Sequence, residues 1–279
     1  MGDLKKYDQL QGAKEILILA DFFDGLWDAV TFTVKVLFGE GITFKLLETY
    51  QKPRTGQSLL LDLDPILQNI ALQELMALKK KMVSRFKLPG NKIDLILFNG
   101  NLIPNLRHEV SQNNILCVVV NSHSTCTGSF TFQIFKIWRI VRKVSLPVFI
   151  LPVKFSETII FKMLYSVNPS KELNENVFNE LEKLFHTVNN RLHILFAKHK
   201  DSAKNEQAEI KYRNHPLGSK FIFHYVNKSA LIQEIQRKME GLNRNLLVID
   251  RLQGPGYLEY IRSCIFGHPK FREIPVLFI

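Results

Sequence analysis

One half-length pattern occurs twice in this chain of 279 residues, from Ile16 to Pro152 and again from Ile159 to Ile279. A sequence that repeats its order of strand and helix signals predicts two related α/β domains, 1–154 and 155–279. In the first half a short apolar strand, Ile16 to Ala20, ends at Asp21, and further strands are expected at Ile42 to Thr49, Ile93 to Phe98 and Ile115 to Val120. The second half shortens the same order into strands at Ile159 to Tyr165, Leu192 to Ala197, Phe221 to Tyr225 and Leu246 to Ile249. Each half closes on a Pro-led strand, at Pro147 and at Pro275. Continuous apolar runs suit parallel strands buried on both faces, and the amphipathic stretches between them read as covering helices.

Helix signals support this division. Leu26, Ala29, Val30, Thr33, Val34 and Leu37 recur at three- and four-residue steps, with Asp24 placed as a cap and Gly39 and Gly41 as punctuation. Pro65 to Phe86 predicts a long helix that starts after Asp64. In the second half, helices are expected over Glu172 to Val188 and around Leu231, Ile232, Ile235 and Met239, the latter capped by Ser229. The stretch from Lys198 to Gly218 is short and polar, so the counterpart of the long helix is expected to be reduced or lost.

A hydrophobic content of 46% is enough for two cores. No apolar run approaches the roughly 18 residues of a spanning helix, and the N-terminal residues lack the apolar stretch of a signal peptide. A cytosolic protein that does not enter membranes is therefore expected. Cys117, Cys126 and Cys264 are scattered, which argues against a disulfide framework or a thiolate metal site. The eight histidines form no helical His pair beside a carboxylate, so no metal is expected.

An excess of 37 Lys and Arg over 26 Asp and Glu gives a formal charge of +11, which admits an anionic partner. The cations are spread over several segments. Lys136, Arg139 and Lys143 share one helix face, while Ile137, Ile140, Val141 and Val144 form the opposite, apolar stripe. No motif interleaves aromatics with the positive residues, so specific nucleic-acid recognition is not expected.

The strand-terminal Asp21 in the setting ADFFD, the closing phrase from Val144 to Pro152 and the degenerate second copy together resemble the tandem universal stress proteins over nearly the whole chain. The resemblance implies two paired α/β domains, each a five-stranded parallel sheet in the order 3-2-1-4-5 with helices on both faces. It also implies ATP binding in many members. Nucleotide-binding members carry a glycine at the end of strand four, another three residues on, and a Gly-Ser or Gly-Thr pair after nine more residues. Here those slots hold Asn121, Ser124, Ile134 and Phe135. Phosphates must approach backbone N–H groups at a helix N-terminus, and side chains at these positions obstruct them.

The candidate cofactor-binding residues are Asp21, Asn121, Ser124, Thr127, Gly128 and Ser129, read as a vestigial nucleotide site. No cofactor is expected there, with ATP or AMP as the alternative. The equivalent loop of the second half begins at Asp250, which opposes a triphosphate. It continues through Gln253, Gly254, Pro255 and Gly256, a turn without the lysine and hydroxyl of a P-loop. Ser166 stands where the first half has Asp21.

Ser122, His123 and Asp21 lack a nucleophile-elbow setting, and Asp21 and Asp24 read as a strand-end polar group and a helix cap. No catalytic residue is expected. The expected function is a non-enzymatic stress-response interaction or regulatory module whose protein partner the sequence leaves unidentified. An ATP- or AMP-binding stress regulator and a basic, nonspecific nucleic-acid-binding protein are the alternatives. In the order 3-2-1-4-5 the closing strands, Val148 to Val153 and Val276 to Ile279, are exposed edges, so an intramolecular pairing of the two domains through them is expected.

Overall fold

The computed structural model describes residues 14–20, 26–37, 39, 41–51, 63–121, 130–152, 162–167, 174–185, 192–197, 202–216, 218, 221–227, 230–239, 245–254 and 274–279. It divides into two compact units, one of residues 1–34 and 38–148, the other of residues 35–37 and 149–279.

The first half is built from β1 (Lys14–Leu19), α1 (Leu26–Phe32), β2 (Ile42–Tyr50), α2 (Asp64–Phe86), β3 (Ile93–Asn99), α3 (Leu102–Gln112), β4 (Ile115–Asn121), α4 (Phe130–Lys143) and β5 (Val148–Leu151). Its strands lie in the order β3-β2-β1-β4-β5, and β1 pairs in parallel with both β2 and β4. Ile16 through Leu19 and Val118 through Val120 are fully enclosed, the consequence of helices covering both sides of a parallel sheet. Right-handed crossovers place helices on opposite faces according to the direction in which the chain steps along the sheet. The last turn of α1 widens into a π-helix, Thr33–Leu37, where the Thr33 hydroxyl donates to the Ala29 carbonyl at 2.7 Å. Gly41, at φ +78°, then supplies the left-handed step into β2.

Burial along α4 follows the sequence pattern. Ile137, Ile140, Val141 and Val144 are buried, with Trp138 beside them, whereas Arg139, Arg142 and Lys143 are exposed. On α2, Lys79 Nζ donates to the Ile93 carbonyl at 2.6 Å, and Lys81 lies over the Trp27 ring at 3.9 Å. Phe86 stacks on that same ring at 5.5 Å.

The second half comprises β6 (Lys162–Val167), α5 (Glu175–Leu184), β7 (Leu192–Ala197), α6 (Ser202–Arg213), β8 (Phe221–Val226), α7 (Leu231–Met239), β9 (Asn245–Ile249) and β10 (Val276–Phe278). Its strand order, β8-β7-β6-β9-β10, repeats that of the first half, again with parallel pairing throughout. The counterpart of α2 is reduced rather than lost: α6 has 12 residues where α2 has 23. Tyr212 anchors it as a buried ring at 5.8 Å from Phe178, which also packs against Tyr165 at 5.9 Å and Phe221 at 5.1 Å. One aromatic cluster thus joins α5, α6, β6 and β8. Among the described residues, no helix is long and apolar enough to cross a membrane.

Candidate functional site

In an open parallel sheet, ligands bind beyond the carboxyl ends of the strands where the strand order reverses. That point lies between β1 and β4 in the first half and between β6 and β9 in the second. The described candidates Asn121 and Asp250 stand at the ends of β4 and β9, beside these two places.

In the first half, Asn121 is the last residue of β4 and is wholly buried. It is therefore part of the packed strand end and not of an open loop. Asp21, Ser124, Thr127, Gly128 and Ser129 lie outside the described residues, as does the proposed cap Asp24. Ile134 and Phe135 fall within α4, in a helix that begins at Phe130, so the slots of the family's Gly-Ser pair are helical backbone whose N–H groups are committed to the helix ladder.

The second half is visible in more detail. Asp250 follows β9 directly, is 1% exposed, and caps a short 3₁₀ turn, Arg251–Gln253. Its carboxylate accepts from Leu252 N at 2.8 Å and Gln253 Nε2 at 3.0 Å, and from two distant side chains, Asn174 Nδ2 at 3.2 Å and Tyr165 Oη at 3.4 Å. The backbone behind it is tied down as well, since Arg251 N donates to Ile279 O at 2.8 Å and Ile279 N to Ile249 O at 2.9 Å. Gly254 leaves this turn at φ +100°. Burial pulls the Arg251 guanidinium down to about 10, with the Asp250 carboxylate opposing the shift, and it remains a cation at neutral pH.

This arrangement has a clear chemical meaning. An ionised aspartate only accepts hydrogen bonds, and here the donors at the strand end converge on it. The Leu252 N–H, which a phosphate at this position would require, is turned to the protein's own carboxylate. Residues 250–254 of the second-half loop form a capped turn with Asp250 as its organising group, while Pro255 and Gly256 lie outside the described residues. Ser166 is buried one residue before the end of β6, in register with Leu195 and Ile249, so it lies within the sheet. Tyr165 and Asn174 escape sequence reasoning because no local spacing links them to Asp250, whereas Gln253 lies in the same loop three residues on; the partial signal for Asn174 is a short polar residue ahead of α5.

Elsewhere, a shallow groove of about 420 Å³ runs along α3, lined by Ile103, Pro104, Arg107, His108 and Ser111. All five belong to one helix, so it lacks the convergent polar groups of a ligand site. The described residues hold no cluster of three or more His, Cys, Asp or Glu suited to a metal ion, and Cys117 is a buried strand residue in β4.

No protein-family model matches the sequence, and no curated protein matches it by sequence. Solved structures do match. A universal stress protein from Archaeoglobus fulgidus DSM 4304 is 12% identical, with 95% of each chain covered and a TM-score of 0.63. A functionally unknown protein from Pseudomonas aeruginosa PAO1 is 13% identical, with 98% of this chain and 94% of that one covered and a TM-score of 0.54. With five strands in the same order in each half and a likeness that spans both halves, the fold of this chain is that of the universal stress proteins.

Proposed function

We propose that the chain is a non-catalytic, cytosolic stress-response module of the universal-stress type, which acts through a protein partner and no longer through a bound nucleotide. The observation that carries this reading is the Asp250 network, in which a carboxylate takes the phosphate side of the second-half switch point and captures the Leu252 N–H and the side chains of Gln253, Asn174 and Tyr165. A triphosphate brought there meets a like charge and finds those donors already engaged. In the first half the reading is supported by Asn121 in the buried end of β4 and by Ile134 and Phe135 in the slots of the phosphate-binding pair.

Isothermal titration of the full chain with ATP and Mg²⁺, with mass analysis of any small molecule released on denaturation, tests this. Each lost hydrogen bond to a charged group is worth about 1.5–3 kcal/mol, so several losses move micromolar binding toward the millimolar range at about 1.4 kcal/mol per tenfold. A dissociation constant below about 10 µM, or co-purified ATP or AMP, would instead establish the nucleotide-binding regulator. The positive charge does not favour a nucleic-acid role. Lys79, Lys81, Arg213 and Arg237 each have partners within the protein, and the binding expected of such a surface is weak and falls steeply with salt.

A further inference from the structure

Two histidines that no sequence spacing connects meet at the outer edge of the second half. His193 on β7 stands opposite Ile222, and Leu195 opposite His224 on β8. His193 and His224 therefore project on the same side of adjacent strands as diagonal neighbours. His193 Nδ1 lies 2.9 Å from His224 Nε2, with the ring planes within 9° and the centroids 5.2 Å apart. That separation equals the nitrogen–nitrogen distance plus two ring radii, so the rings meet edge to edge and not face to face. The other nitrogen of His224, Nδ1, is 3.1 Å from Lys238 Nζ on α7. Lys238 is in turn 3.4 Å from Glu234 Oε1, and Arg237 holds the same carboxylate at 2.6 and 2.8 Å.

The proton positions follow from these contacts. An ammonium only donates, so Nδ1 of His224 accepts and its ring proton resides on Nε2. That Nε2–H donates to Nδ1 of His193, which leaves the proton of His193 on its own Nε2. The series Lys238 to His224 to His193 thus runs in one direction and requires both imidazoles to be neutral. A proton added to His224 sets Nδ1–H against the ammonium. A proton added to His193 sets Nδ1–H against the Nε2–H of His224.

We propose that this series is an acid-sensitive latch: protonation of either imidazole releases α7 from β8 and loosens the β7–β8 edge while the centre of the second-half sheet stays folded. Burial first, and then the Lys238 charge, hold His224 below the ordinary histidine range; Glu234 opposes and Arg237 adds to the lowering. For a depressed histidine the sign is fixed. The unfolded or opened chain takes up the proton first, so the closed state is fully stable above the ordinary range and loses stability as the pH falls through it toward the folded value. β8 is the outermost strand in the order of its half, and such edges open locally at less than the global free energy. Among the described residues of α7, Leu231, Ile235 and Met239 are buried apolar side chains, and their packing does not respond to pH.

Nitrogen NMR of the imidazoles in the full chain, combined with amide-exchange protection factors at about pH 7.5 and about pH 5.5 on either side of the histidine range, tests the latch. His224 is expected as the Nε2–H tautomer with a midpoint below the ordinary range, and protection is expected to fall in β8 and α7 while β6 and β9 hold. Lys238→Met should raise the His224 midpoint, a shift that a purely structural lysine would not produce. His224→Asn provides an independent arm, because it removes the imidazole that meets both Lys238 and His193, and should abolish the selective loss of protection. An Nδ1–H tautomer, a His224 midpoint at or above the ordinary range, or an equal change in protection across all five strands would overturn the proposal.

Discussion

The backbone N–H of Leu252 donates to Asp250 Oδ1 at 2.8 Å, a two-residue bond that folds the chain back on its own aspartate as it leaves β9. Removing that carboxylate deprives the 3₁₀ turn of its cap and leaves the Gln253, Asn174 and Tyr165 donors without this acceptor. Loss of a cap costs about 0.5–2 kcal/mol, and a stranded buried donor about 1–3 kcal/mol. Asp250→Ala is expected to lose on the order of 2–4 kcal/mol in urea unfolding when relaxation shares these terms. Asp250→Asn, which keeps an acceptor for Leu252, should lose less than half as much. An Ala variant within about 0.5 kcal/mol of the parent, the ordinary range for surface sites, would mean that the network is incidental.

A second test concerns Lys45 on β2. This lysine is 8% exposed and reaches Glu15 at 3.1 Å and Glu109 at 3.6 Å, with both carboxylates largely covered. Glu109 is further engaged by Asn113 at 2.8 Å. Lys45→Met keeps the side-chain volume but leaves two largely enclosed carboxylates without the ammonium they share, so it should destabilise the protein by about 3–5 kcal/mol. The triple variant with Glu15→Gln and Glu109→Gln should recover much of that loss. If the single variant is as stable as the parent in denaturant titration, the cluster contributes nothing.

These cases mark what could be read in the sequence. The parallel strands were legible because burial on both faces writes them as unbroken apolar runs: Ile16 to Leu19, Val118 to Val120 and Leu246 to Ile249 are all enclosed. The stripe of Ile137, Ile140, Val141 and Val144 was legible for the analogous reason on a helix. By contrast, α6 is mostly polar and is held by Tyr212 against rings of other elements, so its apolar signal is too sparse to fix its length. The Asp250 partners Tyr165 and Asn174 are 85 and 76 residues away in the chain. His193 and His224 meet only through the register of two parallel strands. Both contacts follow from crossover topology, which no local spacing encodes.

Glu234 supplies a prediction at lower pH. Its carboxyl is held at about 2, first by the hydrogen bonds from Arg237 and, more weakly, by Lys238. The stabilisation is therefore present above the ordinary glutamate range and disappears as the pH falls toward about 2. The pair spans one helical turn with the Arg237 guanidinium open to water, so solvent screening keeps its contribution to stability small. Carbon NMR of the Glu234 carboxyl should give a midpoint well below that of an exposed glutamate, and Arg237→Gln should move it back up. A Glu234 midpoint unaffected by Arg237→Gln would show that the pair does not persist in solution.

The return from α6 to β8 gives the last test. Gly218 N donates to His215 O at 2.7 Å, and His215 N to Tyr212 O at 3.2 Å, so the turn winds tightly over the end of the helix. A Cβ built on Gly218 would collide with the carbonyl oxygen and carbon of Arg213. Both are backbone atoms and cannot swing aside as the tip of a side chain can. Gly218→Ala must therefore shift either the last turn of α6 or the entry to β8. Overpacking of this kind costs about 1–3 kcal/mol, and the effect should concentrate where Tyr212 and Phe221 meet at 6.5 Å. Amide exchange of the variant is expected to show lost protection in α6 and β8 before any change in β6. If Gly218→Ala is instead neutral or stabilising, as glycine-to-alanine changes are where the backbone tolerates them, the turn has room for a methyl group and this close approach does not hold α6 to the sheet.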